Sequence, residues 1–314
     1  MTFAFVFPGQ GSQSVGMLSA LAGHPEVQAT LAEASQALGE DLVQLIAAGP
    51  AEALALTSNT QPVMLAAGVA CYRAWLAAGG AKPAFVAGHS LGEYSALVAA
   101  EVISFTDAVP LVRFRAEAMQ SAVPLGTGSM AAILGLEGTR VQAVCAEASL
   151  LTGEVVEAVN FNAPGQVVIA GANAAVSKAC ELLKAAGAKR ALPLSVSAPF
   201  HSSLLQPASE KLAVYLDTMT FHAPVIPLIN NVDVSVLTDP LAIKNALVRQ
   251  AAKPVRWQEI IQAMATKGVT QVVECGPGKV LAGLTKRIDD QLQGYALFDD
   301  VSINEVRTAL GQTA

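Results

Sequence analysis

The chain has 314 residues, of which 53% are hydrophobic and only 14% charged, with a formal net charge of −6. This length fits one large α/β domain with an insertion, or two domains, with a sizeable core either way. The acidic balance argues against nucleic acid as the main partner, and no apolar run reaches the ~20 uninterrupted residues that a membrane-spanning helix needs.

In chain order, Phe3 to Phe7 reads as a first buried strand rather than a signal peptide, because no basic leader precedes it and the apolar stretch is short. A cytoplasmic location is therefore expected. The loop Pro8-Gly9-Gln10-Gly11-Ser12-Gln13 then falls at the carboxyl edge of the sheet, where ligands commonly bind. No Gly-Lys-Ser/Thr follows, so it is not a phosphate loop; Gln10 either lends an amide donor to a site or structures the turn.

A helix is expected from about Gln61 to Ala78, stopped by Gly79-Gly80. Next come a strand over Ala84 to Gly88, the turn Gly88-His89-Ser90-Leu91-Gly92, and a helix from Leu91 to Ala100. A serine between two glycines on a strand-to-helix turn presents its hydroxyl for nucleophilic attack; the plainer role is an N-cap. The helix after Ser104 runs to about Ala122 and puts Arg115 in one row with Leu111 and Met119. An arginine on an inner face needs a partner, either an internal carboxylate or that of a substrate gripped by the guanidinium fork.

From Gly128 to about Leu194 the order becomes strand, helix, strand, strand, helix, strand, with Pro164-Gly165 as the central hairpin turn. That is the ferredoxin-like order, expected as an inserted subdomain over residues 126–195. Residues 1–125 and 196–314 then form one α/β hydrolase-like domain with a mostly parallel sheet, and a cleft is expected between the two units.

The chain has four histidines. His89 adjoins Ser90 at a strand end, where neighbouring side chains diverge, and His24 and His222 sit in loops beside prolines. His201, leaving the inserted block, is the candidate general base. A last strand is expected over Gln271 to Glu274, and the tail after about Asp290 carries no distinctive chemistry. Cys71, Cys145, Cys180 and Cys275 lack paired spacing and are expected to be reduced thiols, with no metal site.

Several motifs occur together in one order: Phe7-Pro8-Gly9-Gln10-Gly11-Ser12-Gln13, Gly88-His89-Ser90-Leu91-Gly92-Glu93-Tyr94, Arg115 before Met119-Gln120, Asn160-Phe161-Asn162-Ala163-Pro164-Gly165-Gln166, His201, Gln250 and Glu274-Cys275-Gly276-Pro277-Gly278. From Phe3 to Arg287 the chain resembles the malonyl-CoA:acyl carrier protein transacylases. The resemblance implies a seryl-ester enzyme in which Ser90 takes the malonyl group, His201 is base and then acid, and Arg115 holds the malonyl carboxylate. It further implies Gln10 and the Leu91 amide as oxyanion hole, and the Gln250 main-chain carbonyl as the group orienting His201.

Asn160, Asn162 and Phe200 are expected to line the pocket. Glu274 stands as an alternative, conventional acid for the histidine, although its place after His201 departs from the usual hydrolase order. The resemblance implies malonyl-CoA and a holo acyl carrier protein as partners, no cofactor beyond the thioester itself, and a monomer. The basic groups Lys184, Lys189 and Arg190, or Lys279, Lys286 and Arg287, are candidates to receive an acidic carrier. A serine thioesterase, a polyketide loading enzyme and an inactive carrier-binding scaffold remain as alternatives.

Overall fold

The computed structural model describes residues 2–196 and 198–312; Met1, Ser197, Thr313 and Ala314 lie outside the described residues. The chain opens with β1 (Phe3–Phe7), followed by α1 (Pro25–Leu38), α2 (Leu42–Ala48), α3 (Ala51–Ala55) and α4 (Thr57–Ala77). Then come β2 (Phe85–Gly88), α5 (Gly92–Ala99) and α6 (Phe105–Gln120). The next block holds β3 (Gly128–Leu134), α7 (Gly138–Thr152), β4 (Val156–Ala163), β5 (Gln166–Ala172), α8 (Asn173–Ala185) and β6 (Arg190–Pro193). The chain continues through α9 (Gln206–Asp217), α10 (Pro240–Gln250), α11 (Trp257–Thr266), β7 (Gln271–Cys275), α12 (Val280–Ile288), β8 (Gln293–Leu297) and α13 (Asp300–Ala309).

Two four-stranded sheets organise these elements, one parallel in the order β2-β1-β7-β8 and one antiparallel in the order β4-β5-β3-β6. β1 is buried on both faces because side chains alternate along a strand. Phe3, Phe5 and Phe7 join the core formed with α4, where Phe5 meets Trp75 edge to face at 5.5 Å between ring centroids. Ala4 and Val6 face the opposite core, with Ile260, Ile261 and Leu284 of α11 and α12.

The second sheet uses the same alternation to serve two cores. Ala131, Ile133, Val167 and Ile169 pack under α7 and α8, whereas Met130, Val168 and Ala170 face Met119, Phe200, Leu205 and Ala208 of the parallel-sheet unit. Main-chain bonds join the units directly, from Val255 N to Val159 O (2.8 Å) and from Phe161 N to Val255 O (3.0 Å).

Some boundaries differ from the sequence expectation. α4 begins at Thr57 rather than Gln61, since the Thr60 hydroxyl and the Asn59 amide bond back to Leu54 O and Ala53 O and secure an extra turn ahead of Pro62. β8 was not anticipated, because Gln293 and Gly294 are exposed and give a sheet-edge strand no apolar run to announce it. Among the described residues, no helix is long and apolar enough to cross a membrane, and no cluster of three or more His, Cys, Asp or Glu side chains is placed to hold a metal.

Candidate active site

Parallel register puts Phe7 opposite Gly88, so the Pro8 loop and the serine turn leave the same edge of the sheet side by side. The turn is possible only with glycine at its ends. A Cβ on Gly88 would lie 1.9 Å from the Gly92 backbone, and one on Gly92 would lie 2.0 Å from Phe7 O. Between them Ser90 adopts a φ of +52°, a conformation a serine holds only when its surroundings dictate it.

Those surroundings are two side-chain amides. Ser90 N donates to Asn231 Oδ1 (2.8 Å), and Gln250 Nε2 donates to Ser90 O (3.0 Å). Asn231 is itself anchored through its Nδ2 to Gly88 O at 2.7 Å. The strained serine is thus held at both peptide groups.

Ser90 Oγ lies 2.6 Å from Nε2 of His201. On the far side of the ring, His201 Nδ1 is 2.8 Å from the Gln250 main-chain oxygen, an acceptor only, which places the proton on Nδ1 and leaves Nε2 free to accept. Burial, followed by the charge of Arg115, holds the His201 imidazole down at about 3. It is therefore neutral at physiological pH, with Nε2 able to accept a proton.

Arg115 completes the cluster, with only 1% of its surface exposed. Its Nη2 donates to Ser90 Oγ (3.1 Å) and Gln250 Oε1 (2.9 Å), and its Nη1 donates to Gln61 Oε1 (2.8 Å). The guanidinium also lies 5.3 Å from the Tyr94 ring centroid. Among the described residues no carboxylate is within ion-pair distance of it, so the internal salt bridge weighed from sequence is not present. Two residues earlier on the same helix, Arg113 does pair, with both oxygens of Glu40 at 2.8 and 2.6 Å.

A cavity of about 210 Å³ opens over these groups. Its lining combines Gln10, Gln61, His89, Ser90, Leu91, Arg115 and His201 with Met130, Asn160, Asn162, Val168, Leu194, Val196 and Phe200. Gln10 Nε2 reaches Thr57 Oγ1 at 3.4 Å, and the Leu91 amide heads α5 beside Ser90. Asn162 Oδ1 pairs with His89 Nε2 at 2.8 Å, so His89 is directed away from the serine.

Glu274 is not brought to the histidine. Its Oε2 accepts from Ala282 N at 2.9 Å, at the start of α12, where the helix dipole and free amides favour a carboxylate. Burial nevertheless pushes its carboxyl up to about 7. The conventional-acid alternative is therefore replaced by the Gln250 carbonyl.

Three residues of the cluster went unassigned in the sequence. Glu93, 1% exposed, accepts through Oε2 from Asn231 N (3.0 Å) and Gln250 Nε2 (2.9 Å). A lone acid in the otherwise apolar Gly92–Ala99 helix was the available signal. Gln61 and Asn231 gave none, since a glutamine in a helix and an asparagine in a loop are ordinary until their neighbours are known.

The chain matches the acyl transferase domain family over residues 4–299. It is 58% identical over 296 residues to the malonyl CoA-acyl carrier protein transacylase of Escherichia coli K12, covering 94% of this chain and 95% of that protein. The crystal structure of an acyl-carrier-protein S-malonyltransferase from Burkholderia pseudomallei superposes with a TM-score of 0.96 at 66% identity, over 98% of this chain and 100% of the other. A malonyl-transacylase solved in complex with its type II PKS acyl-carrier protein gives a TM-score of 0.96 at 51% identity, with 100% of both chains covered. A nucleophile turn, a buried histidine and an unpaired arginine, matched along almost the whole chain by these relatives, place the protein in the acyl transferase family, among the malonyl CoA-acyl carrier protein transacylases.

Proposed function

We propose that the protein is a malonyl-CoA:acyl carrier protein S-malonyltransferase that supplies extender units for fatty acid synthesis. The observation that carries this reading is the position of Ser90 Oγ, 2.6 Å from a neutral imidazole nitrogen and 3.1 Å from a buried guanidinium that has no internal carboxylate. The first contact serves any serine acyl enzyme, whether water or a thiol is the acceptor, and the relatives that match almost the whole chain favour the thiol of a carrier protein. A malonyl group needs both contacts, one for its thioester carbonyl and one for its free carboxylate.

In the first half-reaction Ser90 Oγ forms a bond to the thioester carbon as its proton passes to His201 Nε2. Gln10 and the Leu91 amide receive the oxyanion, and the carbon–sulfur bond breaks as the imidazolium returns its proton to the departing coenzyme A thiolate. The second half runs in reverse, with the phosphopantetheine thiol of a holo carrier protein as nucleophile. The Gln250 carbonyl keeps the imidazole in the required tautomer throughout, giving a Ser-His dyad. Acyl transfer between thioester and ester changes no oxidation state, so no metal or redox cofactor is invoked.

Asn160, Asn162 and Phe200 line the path of the acyl group and the arm. We read residues 1–125 and 196–314 as an α/β hydrolase-like unit and residues 126–195 as a ferredoxin-like insertion. The strand-helix-strand-strand-helix-strand order with strand sequence β4-β5-β3-β6 supports that reading. We read the enzyme as a cytoplasmic monomer whose site is complete within one chain.

The basic pairs belong to one rim. Lys189 N bonds to Leu134 O, Arg190 lies opposite Leu134 and Leu134 opposite Gln166, whose side chain accepts from Arg287 Nη1 at 2.8 Å. Lys189, Arg190 and Arg287 thus gather near the β4–β5 hairpin, just beyond Asn162, with Lys286 next to Arg287 on α12, as a docking surface for an acidic carrier. The polyketide-type relative makes a loading role in such a pathway the second reading, with the same chemistry and a different carrier.

Intact-mass measurement after brief exposure to malonyl-CoA tests the proposal. A malonyl adduct discharged by holo acyl carrier protein, and absent in Ser90→Ala, is the expected result. An adduct lost equally fast to water would make the protein a hydrolase, and comparison of fatty-acid and polyketide carriers separates the two pathway readings.

A further inference from the structure

Glu93 sits in the first turn of α5, three residues after the nucleophile, and is buried with no cation in ion-pair contact among the described residues. A buried carboxylate is costly unless its oxygens are well used. Here one oxygen, Oε2, receives two donors, Asn231 N and Gln250 Nε2. Those two residues are the ones whose side chains hold the Ser90 peptide groups.

A primary amide has nearly the same shape either way round, so something must decide which end points where. Ionised Glu93 only accepts, as does Ser90 O, and of the two the charged carboxylate holds the Nε2 end of Gln250 more strongly. The Oε1 end is left to face Arg115 Nη2 at 2.9 Å. Reversed, the amide would set donors against the guanidinium and push it from its place beside Ser90 Oγ. In the observed orientation Arg115 rests on three neutral acceptors, Gln61 Oε1, Gln250 Oε1 and Ser90 Oγ, and its charge remains available to a ligand.

We propose that Glu93 is a positioning residue: it fixes the orientation of the Gln250 amide, thereby aims Arg115, and so sets the preference for an acyl group bearing a carboxylate over an uncharged one. This rests on the malonyl-transfer reading above. Glu93 offsets part of the Arg115 charge through an intervening neutral amide; a direct ion pair would instead compete with the substrate.

The charged and titratable groups around Glu93 are Arg115 on α6, Asp233 in the loop after Asn231, and Tyr94 on its own helix. Burial pushes the Glu93 carboxyl up to about 7, against the opposing pull of Gln250, Asn231 and Arg115. Protonation discharges one of the two acceptors of Gln250 Nε2 and adds a donor beside it, which loosens the hold on this orientation and leaves Ser90 O and Arg115 to keep it. Malonyl preference should therefore fall as pH drops through about 7, while His201, held at about 3, stays neutral.

The test compares kcat/KM for malonyl-CoA and acetyl-CoA with one carrier protein, in wild type, Glu93→Gln, Glu93→Asp and each combined with Arg115→Ala. Glu93→Gln should lower the malonyl-to-acetyl ratio about tenfold, the worth of one charge-assisted hydrogen bond. Glu93→Asp should recover part of it, and neither change should move the ratio once Arg115 is absent. Equal loss for both substrates, or a ratio change that persists without Arg115, would overturn the proposal. If the variants fail to fold, the wild-type ratio between pH 8 and 6 decides, a flat profile counting against Glu93. Wild type that transfers no malonyl group would remove the functional reading as well, whereas wild-type transfer with unchanged selectivity in Glu93→Gln removes this inference alone.

Discussion

Across the cleft, two neighbouring regions are built by different means. On the parallel-sheet side Ser90, His201, Arg115, Gln250, Glu93, Asn231 and Gln61 form a connected hydrogen-bond network, with the key contacts between 2.6 and 3.1 Å. The rest of the lining, Met130, Val168, Leu194, Val196 and Phe200, is an apolar wall to which both units contribute, interrupted by Asn160 and Asn162. The contrast teaches a division of labour. Reaction requires atoms fixed by directional bonds, whereas protecting a seryl ester from water and shaping the acyl pocket require only well-packed apolar surface.

Two single substitutions and one set of charge reversals put that division at risk, from strong to weak. Arg115→Ala removes the charge that a free carboxylate would meet, and should lower the malonyl-to-acetyl ratio of kcat/KM about 100-fold, as two charge-assisted hydrogen bonds are lost. An unchanged ratio would mean that the polar side does not select the acyl group, and the comparison would collapse.

Phe200→Ala acts on the wall. Methylmalonyl-CoA should gain about tenfold relative to malonyl-CoA, the scale on which a pocket senses a methyl group. The melting temperature should also drop, since emptying such a site costs roughly 3–5 kcal/mol. Loss of the malonyl adduct in a variant that remains folded would show that the wall contributes to the chemistry itself.

The weakest effect is expected where the two regions meet at the rim. Reversing Lys189 and Arg190 together with Lys286 and Arg287 should slow discharge of the malonyl-enzyme to carrier protein several-fold at low salt. The difference should fade at high salt, because exposed charges are screened. Stopped-flow discharge rates that ignore both mutation and salt would place carrier docking elsewhere.

The legibility of these regions differed for the same reason as their construction. Ser90 could be read because the strand, the glycines and the helix that expose it are contiguous in sequence. Arg115 stood out against Leu111 and Met119 on one helical row, and His201 by elimination among four histidines. Gln250 entered only through family resemblance, because a backbone carbonyl that orients a histidine 49 positions away leaves no mark in its side chain.

The sequence by itself therefore determined the alternation of elements, the glycine-flanked serine turn and the chemical character of Ser90, His201 and Arg115 as hydroxyl, imidazole and cation, all of which follow from local periodicity and residue chemistry. Tertiary structure alone decided how those groups are joined. It brought Asn231 and Gln250 to the two peptide groups of Ser90, gave Glu274 to the start of α12 instead of to His201, and left Arg115 without a carboxylate. Hydrogen-bond partners are chosen by distance and direction in space, and a burial that strips water from Glu93 and His201 is a property of every segment packed around them.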